Sequence, residues 1–297
     1  MTRDAATATV SPGAAAHRRG ILLVAAAALL WSTGGMGIKW LSDPPLRIAF
    51  YRSATAAVAL ALIFRPRTWR WTAPFLIGVV SYAACLTTFV FATKWTSAAN
   101  AIFLQYFGVI WVLLASPAVL GEPFHRRDGI AVTVAFGGML LFFAGKFESR
   151  GFAGEIFALA SSLFFAILVL ALRRERGAAA EAVVTWGNVL AALAILPFAW
   201  HDLGVTAKSA VVLTFLGVVQ IGGAYALFVQ GLKHVTATEA SLVGMLEPVF
   251  NPIWVFLFIG ERPGIFSIAG GVTVLGAIAW RTLTAGTAVP ERISVPD

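Results

Sequence analysis

Two ionisable residues lie within apolar stretches of the chain, and they are the first candidates for chemistry. Arg52 follows Phe50-Tyr51, and Glu247 directly precedes Pro248. A charge inside an apolar helix is costly unless something meets it, so each implies a partner. Arg52 is read either as a contact for a substrate carboxylate or as a snorkelling, structurally paired cation, with the structural role weighing more. Glu247 is read as a proton carrier or a partner for a substrate ammonium, or as an acceptor for backbone groups freed by Pro248. Uncharged polar residues are the second signal. Asn100, Gln105, Asn188, Gln220 and Asn251 either line a cavity or hold helices together, and Gln105 and Gln220 are chosen as lining. Aromatic residues are the third. Tyr82 and Phe89 are seven apart on one helical face, and Tyr225 and Phe228 are three apart on another. Such stripes either pack or wall a cavity for flat apolar solutes. Enzyme signatures are missing. The four histidines, His17, His125, His201 and His234, are far apart, and no metallopeptidase, phosphate-loop or Ser/His/Asp pattern is present. Neither a metal site nor a cofactor is expected. Cys85, the only cysteine, allows no internal disulfide and reads as packing.

The elements that must position these residues are set by composition. The chain of 297 residues is 59% hydrophobic and 12% charged, with a mean hydropathy of +0.84. Soluble domains carry about 25% charged residues. An all-α integral membrane protein follows, with the lipid bilayer as its main partner. The net charge of +8 reads as basic cytoplasmic loops, with no nucleic-acid partner. Ten segments of about 20 apolar residues fit the sequence, at roughly 20–41, 46–64, 72–92, 97–120, 128–145, 153–172, 181–200, 208–230, 237–259 and 264–281. Residues 1–19 and 282–297 are expected to be disordered cytoplasmic tails. His17-Arg18-Arg19 before Ile21 imitates a signal peptide, but the apolar run continues to Leu41, long enough for an uncleaved first helix. With the N-terminus inside, 14 Lys and Arg fall in inner segments and 7 in outer ones. Both termini are therefore expected in the cytoplasm, at the cell's inner (plasma) membrane.

The stretch from Lys94 to Gly121-Glu122 recurs as Lys233 to Gly260-Glu261, at an offset of 139 residues. The register extends without a gap from Gly78 over Gly217 to Gly137 over Gly276. Identities are few, and the shared punctuation carries the signal. The repeating unit is five helices, residues 20–145 and 153–281. An odd number of helices inserts the second copy upside down, giving two inverted five-helix repeats with a substrate site between them.

Several short motifs then acquire a common meaning. They are Leu30-Trp31-Ser32-Thr33, Phe50-Tyr51-Arg52, Leu120-Gly121-Glu122, Glu247-Pro248-Val249-Phe250 and Ile259-Gly260-Glu261. On these motifs the chain resembles the drug/metabolite transporter superfamily, specifically its EamA family. Within that family it is most similar to the aromatic amino acid exporters. It departs where Gly108-Val109 stands in place of Glu247-Pro248, which leaves open whether both repeats bend alike. The resemblance implies a carrier with no ATP-binding domain that exports small amphipathic metabolites, foremost aromatic amino acids, by alternating access. The alternatives are a carrier of another metabolite or a cationic drug, a membrane enzyme, or a non-transporting scaffold. The expected substrate cavity is walled by Trp31, Tyr82, Phe89, Tyr106, Gln220 and Tyr225, with Ser32, Gln105 and Glu247 as further polar contacts.

Overall fold

The computed structural model describes residues 12–66, 70–142, 144, 152–175, 177–259 and 264–284. Among these residues the chain is all-helical. Its helices are α1 (Pro12–Trp31), α2 (Gly34–Trp40), α3 (Pro45–Phe64), α4 (Ala73–Trp95), α5 (Ala98–Gln105), α6 (Phe107–Leu120) and α7 (Arg126–Phe142). They continue as α8 (Phe152–Glu175), α9 (Gly177–Ala199), α10 (Ala207–Phe215), a π-helical segment (Leu216–Gly223), α11 (Ala224–Gly231), α12 (Ala237–Gly244), α13 (Leu246–Ile259) and α14 (Ile265–Thr284). Eight stretches among the described residues are long and apolar enough to cross a bilayer. Two of the ten expected segments, those at 128–145 and 237–259, are not among the eight.

Residues 12–19 differ from the expected tail. Among the described residues, α1 already runs from Pro12. The alanine run that follows favours helix, and His17 within it contacts the Glu239 carboxylate at 3.0 Å. At the other end α14 continues to Thr284. The rest of both expected tails, and Gly260-Glu261, lie outside the described residues.

Two expected helices break at matching positions. Helices α5 and α6 meet at Tyr106 (ψ −7°) and α12 and α13 at Met245 (ψ −2°). These residues are related by the 139-residue offset of the sequence. Val109 N–H donates to the Tyr106 carbonyl and Met245 N–H to the Leu242 carbonyl, each three residues away, so the chain tightens at both breaks. Both segments therefore bend, although only the second carries Pro248.

The helices pack mainly across the midpoint of the sequence. The most extensive contacts join α4 to α8 and α9, α3 to α9 and the π segment, α1 to α11, and α7 to α14. Close backbone approach makes some of this possible. A Cβ on Gly20 would stand 2.7 Å from His234 Cβ, and one on Gly154 would stand 2.6 Å from the Thr96 nitrogen. The outer surface is apolar, with Leu62, Leu114, Phe198 and Val211 exposed, as lipid contact requires.

Apart from Arg52 and Glu247, the buried charges of the described residues gather at the two ends. At one end, Arg173 Nε donates to Glu122 at 2.7 Å and its NH1 to the Leu232 carbonyl at 2.8 Å, while Ala237 N–H donates to the other Glu122 oxygen at 3.0 Å. Beside this group, Arg281 joins Asp128 and Glu239. At the opposite end, Arg47 pairs with Asp43 and Asp202, and Ser209 donates to Asp43 at 2.7 Å. There Lys39 and Lys94 donate to the Thr96 and Leu41 carbonyls.

Candidate functional site

Between the two charged ends lies a cavity lined by Trp31, Arg52, Cys85, Leu86, Phe89, Gln105, Tyr106, Phe165, Gln220, Ile221, Tyr225 and Glu247. Seven of the nine residues chosen from the sequence are in this lining. The other two stand behind it. The Tyr82 ring packs 4.6 Å from that of Tyr225, and its hydroxyl accepts from Asn188 at 2.8 Å. Ser32 donates to the Leu29 carbonyl and accepts from Trp254 Nε1 at 2.7 Å, so its hydroxyl is engaged at the junction of α1 and α2.

The aromatic wall is continuous. Trp31 meets Tyr225 at 5.1 Å, Phe228 at 5.0 Å and Phe165 at 6.3 Å between ring centres. The pairs are tilted or edge-on, arrangements favoured by ring quadrupoles and worth about 0.5–1.5 kcal/mol each beyond burial.

The polar side is organised by the break between α1 and α2. Gln220, on the π segment, donates from Nε2 to the Trp31 carbonyl at 3.3 Å. A side chain entering an interrupted helix ladder in this way stabilises the kink. The neighbouring helix leaves room for it: a Cβ on Gly34 would lie 2.5 Å from Gln220 Nε2. The π segment also lies against α3, because a Cβ on Gly217 would collide with Thr55 Oγ1 and stand 2.7 Å from the Arg52 carbonyl. Gln220 Oε1 then accepts from Arg52 NH2 at 2.8 Å. Widened π turns frequently mark functional positions.

Arg52 is 2% exposed, and its Nε is buried without a hydrogen-bond partner among the described residues. Sequence reasoning left it out of the site because an Arg near a helix end often snorkels. The signal that could have recovered it is its place in the Phe-Tyr-Arg motif. Across the cavity, the Tyr106 hydroxyl lies 2.8 Å from Glu247 Oε2 and 2.7 Å from the Gly244 carbonyl. A hydroxyl carries one proton, so two acceptors share it or Glu247 brings a proton of its own. The break at Tyr106 aims this hydroxyl at the start of α13. Gln105 donates to Ser161 at 2.9 Å. Cys85, read as packing, is buried in the lining with its sulfur 3.7 Å from Ser161 Oγ. Phe165 and Ile221, which the sequence did not single out, complete the wall.

Among the described residues, no three His, Cys, Asp or Glu side chains converge on a metal-sized site. The arrangement offers ring surface, two amides, one cation and one carboxylate. It can hold and release an amphipathic solute.

Comparison with known proteins identifies the class. The model of the EamA-like transporter family matches twice, over residues 18–144 and 152–283. A pseudopaline exporter, CntI, of Pseudomonas aeruginosa is 28% identical over 272 residues, covering 88% of this chain and 94% of the exporter. An uncharacterized transporter of Archaeoglobus fulgidus is 24% identical over 282 residues, covering 86% of this chain and 95% of its own. A solved crystal structure superposes with a TM-score of 0.76 at 16% identity, covering 90% of this chain and 98% of that one, a likeness of fold.

Proposed function

The chain belongs to the EamA-like transporter family, and from that premise we propose that it exports small amphipathic metabolites, foremost aromatic amino acids, by alternating access. It is a multi-pass membrane transporter of this type and not an enzyme. The proposal adds the cargo, the direction and the mechanism. Ten membrane helices in two inverted halves, residues 20–145 and 153–281, carry the transport cycle. Both termini face the cytoplasm of a cell whose plasma membrane holds the protein.

One observation carries the proposal. The cavity takes its lining from both halves, and each half contributes a helix broken at the equivalent residue, Tyr106 or Met245. Such broken helices surround midplane sites in carriers built from inverted repeats. The packing supports the same symmetry. The contact of α4 with α8 has its counterpart in that of α11 with α1, and α4 against α9 has its counterpart in the π segment against α3. Gly20 against Val235 and Gly154 against Thr96 likewise exchange, since the 139-residue offset carries Thr96 onto Val235 and an offset of 134 residues carries Gly20 onto Gly154. The cargo class rests on the aromatic wall.

A second reading is favoured by one relative. The 28% identity to a pseudopaline exporter over 88% of this chain supports another metabolite, of the pseudopaline kind, as cargo. Proteoliposome flux separates the two. Labelled tryptophan and phenylalanine should move faster than leucine at equal concentration. Movement of pseudopaline with no movement of tryptophan would overturn the aromatic reading in favour of the second.

A further inference from the structure

The ion pairs of the protein follow a rule with two exceptions. Of the three arginines in the buried class among the described residues, Arg173 holds Glu122 and Arg281 holds Asp128 and Glu239. Arg52 holds only the neutral amide of Gln220. The buried carboxylates divide in the same way. Asp43, Glu122, Asp128 and Glu239 each face a cation, whereas Glu247 meets only the Tyr106 hydroxyl. Among the described residues, Arg52 and Glu247 are in no ion pair, with each other or with any third group. Both line the one cavity described above.

A buried charge left without an opposite charge is expensive in a medium of low dielectric. Here two ionisable groups of opposite kind, one cationic and one acidic, share one cavity. The Arg52 Nε–H has no partner, and a guanidinium edge matches the two oxygens of a carboxylate. A carboxylate oxygen of Glu247 suits an ammonium, a compact donor of three hydrogen bonds.

We propose that this cavity receives its cargo as a zwitterion, with the carboxylate on Arg52 and the ammonium on Glu247. The proposal rests on the carrier reading of the cavity and adds the charge pattern of what is carried. Gln220 is a positioning residue, since it holds the guanidinium by NH2 and leaves Nε free. Release is built into the same arrangement, because each protein charge keeps a neutral partner, Gln220 or Tyr106, to return to.

The test is binding to the purified full-length protein, read as a ligand-dependent rise in melting temperature. Tryptophan, tryptamine and indole-3-propionate differ only in their charged ends. Leucine, isopentylamine and 4-methylpentanoate repeat the comparison without a ring. In the wild type the zwitterion should half-saturate at a concentration about tenfold lower than either single-charge analogue, equivalent to ~1.4 kcal/mol. R52Q should bring the amino acid to the level of the amine, and E247Q should bring it to the level of the acid. Should R52Q not fold, R52K should weaken the amino acid and the acid more than the amine, because lysine lacks the forked edge. An absence of zwitterion preference in both wild-type series overturns the proposal. So does a preference that survives in folded R52Q and E247Q, or an unchanged ranking in R52K. A preference in the leucine series alone upholds the zwitterion and removes the aromatic reading.

Discussion

At the scale of single residues, Tyr225 joins the two sides of the site. Its ring meets Trp31, Tyr82 and Phe228, and it lines the cavity. Tyr225→Ala removes ring contacts that only an aromatic cargo can exploit. Export of tryptophan and phenylalanine should fall about tenfold, and export of a small aliphatic amino acid much less, measured in cells at matched protein level. Equal losses would make Tyr225 a packing residue. The aromatic positions were legible in the sequence because seven-residue and three-residue spacings put rings on one helical face. Tyr82 and Ser32 were not separable from the lining residues, because helical spacing fixes a face and not the depth behind it. Outside the membrane-spanning segments, Asp43 offers a pH-dependent contact. Burial pushes its carboxyl up, but the hydrogen bonds from Ser209 and Arg47 and the Arg47 charge outweigh this and hold it below the ordinary carboxylate range. A carboxyl lowered in the folded state contributes stability that is complete above its unfolded value and is lost as pH falls through the folded one. Melting curves from pH 7 down to pH 3 should therefore decline less steeply for Asp43→Asn than for the wild type, starting from a lower value at neutral pH.

At the scale of elements, the breaks matter more than the helices. The junction of α1 and α2 is held open by Gln220 entering beside Gly34. Gly34→Ala puts a methyl group into the space of Nε2. The resulting loss of a buried hydrogen bond should cost about 1–3 kcal/mol in thermal stability and reduce transport. The cost should shrink in a Gln220→Ala background, where the methyl meets nothing at that position; an undiminished cost would place the strain elsewhere. Helix existence was readable from apolar length, and ten segments were placed from it. The breaks at Tyr106 and Met245 were not, because neither residue is itself a helix breaker. The closing turn after α6 makes a different demand. Glu122 accepts from Arg173 and from Ala237 N–H within a buried pocket. Glu122→Gln leaves the Arg173 charge uncompensated, at about 3–5 kcal/mol. Folding yield should drop sharply while the ranking of substrates stays as in the wild type. Wild-type yield with an altered ranking would contradict a structural role.

At the scale of the whole molecule, the sequence reading rests on a charge bias and a distant repeat. The bias predicts that a reporter fused after Arg174 is cytoplasmic and one fused after Gly204 is external; the reverse pattern would remove the inverted-repeat argument. The repeat was faint in identities, since helices facing lipid need only be apolar, and clear in the residues that end helices. What the sequence could not reveal is where each half finds its packing partners. Helices α1, α3, α4 and α7 make their most extensive contacts with helices beyond residue 151. This bears on how the protein is made. A ribosome delivers the first half well before the second, and that half then lies in the bilayer with few of its final neighbours. Arg52 must wait for Gln220, and Glu122 for Arg173 and Ala237. The first helices therefore keep only their contacts with one another until the second half arrives. Packing of the first half is then complete only once α14 has been made, because α7 lies against it.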